Sequence, residues 1–108
     1  MTILQIAVPA PLRRFFDYLP LEGDIPTLQP GVRVRVPFQK RELIGIFMGF
    51  AAHSDLPRAK LKAIIEVIDT EPVIPADMLQ LCIWAADYYH YPIGEVLWGA
   101  LPAGLRKG

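Results

Sequence analysis

The chain has 108 residues, with 11 Lys plus Arg against 11 Asp plus Glu, so its net charge is zero and neither a grossly basic nucleic-acid binder nor an acidic tail is indicated. With 53% hydrophobic and 20% charged residues and a mean hydropathy of +0.31, its composition argues for a folded core and against disorder. A single cysteine, Cys82, excludes an internal disulfide and a cysteine-based metal site, and fits a reducing cytoplasm.

The opening MTILQIAVPAPL is apolar but has no basic n-region, and prolines interrupt it ahead of Arg13 and Arg14, so it reads as mature protein. Thr2 to Val8 is expected as a first strand and Phe15 to Leu19 as a short second one. After the turn signal Gln29-Pro30-Gly31, Val32 to Val36 alternates strictly: the valines face a core, and Arg33 and Arg35 share the opposite face, toward solvent or a ligand. Leu43 to Phe50 is a further strand, with Gly45 and Gly49 marking bulging or close backbone approach. Lys62 to Ile68 is another, rich in β-branched residues.

From Ala76 to Tyr91 no Pro or Gly occurs, and Pro75 and Pro92 suit the start and stop of an amphipathic helix. Met78, Leu81, Cys82, Ala85, Tyr88 and Tyr89 form its expected apolar face, and Trp84 adds a second side that predicts burial between two surfaces. A short helical turn follows. The fold class is therefore α+β, a small antiparallel sheet curling toward a barrel with a C-terminal helix, in one domain over residues 1–108. The tail Pro102 to Gly108 reads as a linker cut short, as in one domain of a longer protein. No stretch reaches the roughly 18 uninterrupted apolar residues of a membrane span, and no membrane role is expected.

No GxxxxGK[ST], GxGxxG or GxSxG string occurs, so the common signatures of catalysis are missing and a small enzyme is the least favoured class. His53 and His90 lie in unrelated contexts; a metal site joining them with Asp87 would be a coincidence of fold, and His90 is read as a favourable helix C-terminal residue. Asp69 and Glu71 read as a solvated turn, and Cys82 as a buried small hydrophobe.

Charge is nevertheless unevenly placed. Residues 11–62 hold nine basic side chains (Arg13, Arg14, Arg33, Arg35, Lys40, Arg41, Arg58, Lys60, Lys62) against five acidic ones, a net of +4, which leaves −4 elsewhere. Together with Phe15, Phe16, Tyr18 and Phe38 this suits single-stranded nucleic acid, with cations on phosphates and rings on bases; composition alone favours an ordinary solvated sheet face. Asp17 is unexpected in a phosphate-binding strip. It is either a partner of Arg13 or Arg14, or an acceptor for a sugar hydroxyl that repels a further phosphate and so reads a strand end.

Val8-Pro9-Ala10-Pro11-Leu12, Phe16-Asp17-Tyr18 and the run Pro30 to Phe38 come first in an ordered series of blocks. Ile44-Gly45-Ile46, Leu61-Lys62, Trp84 to Tyr89, Pro92 to Leu97 and Ala100-Leu101-Pro102 complete it. This series closely resembles the N-terminal 3′ DNA-binding domain of the PriA family, the bacterial primosomal (N-prime) replication-restart helicases, over essentially the whole chain. The resemblance implies a non-catalytic module that recognises the 3′ end of a nascent leading strand at a stalled or abandoned fork, whichever base is terminal. It implies a pocket in which Asp17 binds the free 3′-hydroxyl, Phe16 and Tyr18 form walls, and Lys62 lines the site. Where the family usually has glycine after Val-Pro-Phe, this chain has Gln39, which adds bulk at an expected nucleotide-contacting position. ATP, zinc and the 3′ to 5′ helicase motor are implied only for the remainder of such a polypeptide, and no cofactor for this domain. The implied partners are DNA with a free 3′ end, forked DNA and, through the full-length chain, other primosome proteins and single-stranded DNA-binding protein; the implied location is the cytoplasm. The alternative is a protein-interaction module that presents the helix Ala76 to Tyr91 to a motor domain or another partner.

Overall fold

The alternation of β-branched residues becomes an antiparallel sheet. In a computed structural model, which describes residues 2–10, 15–21, 28–54, 56–101 and 104, the strands are β1 (Ile3–Ala7), β2 (Phe16–Tyr18), β3 (Arg33–Phe38), β4 (Arg41–Ala51) and β5 (Glu66–Val67). They lie in the order β2-β1-β4-β3-β5, followed in sequence by helices α1 (Ala76–Tyr89) and α2 (Ile93–Ala100). The α+β class is thus observed. The Arg13-Arg14 pair, Pro11 and Leu12, and the expected linker apart from Gly104 lie outside the described residues.

β1 and β4 send alternate side chains to two separate cores, because successive residues point to opposite faces. Leu4, Ile6, Val8, Val34, Val36 and Phe47 fill the concave face, and the valines point inward as their spacing predicts. Ala7 and Ile46 face the other way, where α1 and α2 cover them with Leu79, Cys82, Ala86, Ile93 and Leu97. Each fully buried aliphatic side chain contributes about 1.5–3 kcal/mol.

Glycines set the close approaches. Gly31 has φ +106 and follows Pro30 in a turn closed by the Val32 N–H on the Gln29 carbonyl, a backbone that L residues strain to adopt. Gly45 lies against Ile6, and Gly49 flanks a bulge where Met48 is the extra residue of β4 opposite β1. A Cβ at Gly94 would overlap the Val8 carbonyl, so this glycine lets α2 begin directly on the end of β1.

Several expectations about single elements are corrected. The strand expected over Lys62 to Ile68 shrinks to Glu66–Val67 because this segment serves both edges of the sheet. Leu19 donates to the Lys62 carbonyl and accepts from Ile64, whereas Ile65 and Ile68 donate to Arg35 and Arg33 of β3. The sheet therefore curls, with an isolated parallel bridge from Leu19 to Ala63, without closing into a barrel. The predicted face of α1 is also rotated. Leu79, Cys82 and Ala86 are buried, whereas Trp84 (56% exposed) and Tyr88 (63%) stack on each other in solvent at 5.0 Å. A helix that is apolar on nearly every side gives periodicity little to choose from, and the small Cys82 and Ala86 side chains permit the closer approach. The helix stops at Tyr89 because His90 turns left-handed (φ 58) and caps it through its backbone N–H to Ala86 and Asp87. The expected short turn after Pro92 is an eight-residue helix.

Candidate nucleic-acid interface

Beginning with β2, the Phe-Asp-Tyr triplet places Phe16 and Tyr18 on the concave core and Asp17 on the opposite side of the strand. Two strands separate β2 from β3 in the sheet, yet the Tyr18 hydroxyl donates to the Pro37 carbonyl at 2.7 Å and Phe16 meets Phe38 edge-on at 5.1 Å. The curl thus brings the edge strand over the end of β3. Burial pushes the Tyr18 phenol up to about 12, in keeping with a hydroxyl that holds structure.

The backbone bond from Leu19 to Lys62 carries the 3₁₀ turn Arg58–Lys60 and the following lysine alongside β2. The hairpin between β3 and β4 supplies the third wall through Gln39, which with Lys40 holds φ of 50 and 66, a left-handed pair closing a two-residue turn. A cavity of about 460 Å³ lies between these parts, and Phe16, Asp17, Tyr18, Gln39 and Lys62 all line it, with Phe15 and Phe38. All five site residues expected from the sequence are therefore brought to one cavity from three separate stretches of chain. Gln39 is exposed, and its backbone occupies a region that glycine adopts without strain.

Sequence reasoning missed Gln5, Leu56 and Lys60 on the cavity wall, and Ser54 behind it. The Ser54 hydroxyl donates to Asp17 Oδ2 at 2.6 Å and accepts the Leu56 N–H at 3.2 Å. A serine followed by such a backbone donor two residues on is a local turn signal, but nothing in its spacing points to a carboxylate 37 residues away. Pairing of Asp17 with Arg13 or Arg14 concerns side chains outside the described residues.

The two β3 arginines do not serve the cavity. Arg33 is buried, and its Nε and Nη2 reach Asp69 at 2.9 and 2.7 Å while its backbone N–H also donates to that carboxylate at 2.9 Å. Asp69 is thus no solvated turn residue: the Arg33 hydrogen bonds hold its carboxyl below the ordinary carboxylate range, against the opposing effect of burial. Arg35 pairs with Glu66 at 2.7 Å nearer the surface. Among the described residues, the cations on the cavity wall are Lys60 and Lys62, set beside the Asp17 carboxylate. Such a site offers a nucleotide cations for phosphate, aromatic walls and a carboxylate that can accept from a hydroxyl. Among the described residues no cluster of His, Cys, Asp and Glu is placed to hold a metal, and no helix is long and apolar enough to cross a membrane.

Comparison with known proteins gives a consistent answer. Residues 5–102 match the 3′DNA-binding domain (3′BD) family of PriA. The chain is 41% identical to the replication restart protein PriA of Haemophilus influenzae over all of its own length and 14% of that protein. It is 30% identical to PriA of Buchnera aphidicola (subsp. Schizaphis graminum) over 99% of this chain and 15% of that protein. With Bacillus subtilis PriA it shares 33% identity over 86% of this chain and 12% of that protein. The chain thus spans about one-seventh of the length of these relatives. With the match covering nearly every described element, from the middle of β1 to beyond α2, the chain belongs to the PriA 3′ DNA-binding-domain family.

Proposed function

We propose that the cavity beside Asp17 binds the last nucleotide of a DNA strand and reads its free 3′-hydroxyl, so that the domain delivers a replication-restart protein to the 3′ end of a nascent leading strand at a fork. The observation that carries this reading is the meeting of a carboxylate, two lysines and aromatic walls in one cavity. A 3′-hydroxyl donates to Asp17, whereas a 3′-phosphate or a continuing strand brings negative charge and bulk against the same carboxylate and is excluded. Lys62, with Lys60, meets the last phosphates. The domain is a binding module without chemistry or cofactor of its own, and the motor lies in the remainder of the polypeptide.

Fluorescence anisotropy at low salt tests this with one short strand ending in a 3′-hydroxyl or a 3′-phosphate. The hydroxyl form binds about tenfold tighter or more, as a hydrogen bond to a charged group implies, with all four terminal bases alike. Asp17→Ala removes the preference and leaves the thermal unfolding curve in place. Equal binding of both ends by the parent protein overturns the reading.

One observation favours a second role, docking to protein: Trp84, Tyr88, Tyr89 and Tyr91 all stand in solvent. Trp98, by contrast, packs on the helical core. In this role Tyr91→Ala in the intact protein weakens a protein contact and leaves end binding untouched.

A further inference from the structure

The carboxylate that reads the strand end is itself held in place. Asp17 projects from an edge strand of only three residues, and a carboxylate on so short an edge has rotameric freedom to lose before it meets a ligand. One contact removes that freedom: the Ser54 hydroxyl bonds Asp17 Oδ2 at 2.6 Å. In that bond the Ser54 hydroxyl donates and the carboxylate oxygen accepts, while Ser54 Oγ itself accepts the Leu56 N–H.

Resting on the end-binding reading above, we propose that Ser54 is a positioning and specificity-determining residue of this site. Its hydroxyl donates to Oδ2 and so holds the carboxylate in one orientation, with the remaining acceptor capacity of Asp17 left for the hydroxyl of a strand end. The same side chain sets the loop that follows β4: the turn it closes places Leu56 on the cavity wall, and the next turn, in which the Lys60 N–H bonds the Pro57 carbonyl, places Lys60 there too. A single hydroxyl thereby fixes the acceptor, an apolar lip and a cation relative to one another, so the discrimination between termini depends on a residue that touches no nucleotide.

Three strands identical except for a 3′-hydroxyl, a 3′-hydrogen (dideoxy) or a 3′-phosphate terminus make the test, titrated by anisotropy against the parent, Ser54→Ala and Ser54→Thr, with unfolding curves confirming that each variant is folded. Ser54→Ala lowers the preference for hydroxyl over hydrogen termini about tenfold, the effect of freeing a carboxylate from a charge-assisted bond, and leaves affinity for the dideoxy strand within about twofold. Ser54→Thr keeps the hydroxyl and most of the preference. If Ser54→Ala retains the parental ratio, weakens all three strands equally, or is matched by Ser54→Thr in its loss, Ser54 is not the positioning residue. Absence of any preference in the parent overturns the end-binding reading itself, an outcome distinct from those three.

Discussion

Removing the Asp69 carboxylate tests how the sheet is tied to the chain that returns past its β5 edge. In Asp69→Ala, Arg33 loses three hydrogen bonds and keeps its charge at a site where the two side chains are only 9 and 12% exposed. Removing one partner of a buried pair costs about 3–5 kcal/mol, and the rim of exposure at this site favours the lower figure. At about 2.1 cal/mol/K per residue, a 108-residue chain has an unfolding entropy near 0.23 kcal/mol/K, so a loss of about 3 kcal/mol lowers Tm by ~13 °C. The assay is thermal unfolding followed by circular dichroism at pH 7 and again at about pH 2. Because Arg33 holds Asp69 low, the folded chain binds fewer protons than the unfolded one near pH 4. The contribution of the pair is therefore complete above the unfolded carboxyl value of about 3.9 and is lost as pH falls through the lower folded value. The gap between parent and variant accordingly narrows in acid. Arg33→Met combined with Asp69→Leu recovers most of the stability, since an apolar pair replaces both charges. A loss below about 1 kcal/mol for Asp69→Ala, or a gap that stays unchanged in acid, refutes a desolvated pair.

Two further outcomes follow from the walls of the cavity. Gln39→Gly relieves a left-handed residue of about 1 kcal/mol of strain, partly offset by greater freedom of the unfolded chain, so Tm rises by about 2–4 °C; a fall in Tm contradicts strain at its φ of 50. Tyr18→Phe removes the 2.7 Å bond to Pro37 and costs about 1–2 kcal/mol by denaturant unfolding. Between pH 10.0 and about 12 the folded chain keeps the Tyr18 proton that the unfolded chain gives up, so parental stability falls as pH rises through this window, and ultraviolet titration shows one tyrosine ionising late.

The parts of this molecule that could be read from its sequence are those set by neighbours in the chain. Val32, Val34 and Val36 alternate and are buried, and Pro30-Gly31 makes the turn that its residue types require. The fate of Arg33 could not be read in this way. Alternation places it on the side away from the valines, but what covers that side is Asp69, 36 residues on. The same holds for Ser54, whose partner is set by the curl of the sheet. For α1, Trp84, Tyr88 and Leu81 satisfied the apolar pattern without being buried, because the choice of face was made by the fit of Cys82 and Ala86 against the rest of the fold. Phe16, Asp17 and Tyr18 were legible as a group because a carboxylate between aromatic residues is chemically conspicuous even before its surroundings are known.

The unequal lengths of the strands bear on solubility. β4, the longest at eleven residues, lies between β1 and β3 in the sheet order and pairs with β3 over 41–46 and with β1 over 46–51, whereas the two edges are strands of three and two residues. Free backbone donors and acceptors along a flat edge are the template on which other chains add and aggregate. Here the β2 edge is further occupied by the Leu19 bonds to Lys62 and Ile64, so little open ladder remains at either side among the described residues. A chain with more than half its residues hydrophobic thus keeps its longest strand, β4, paired along its whole length, first with β3 and then with β1, so that neither half is a bare ladder on which a second copy can add.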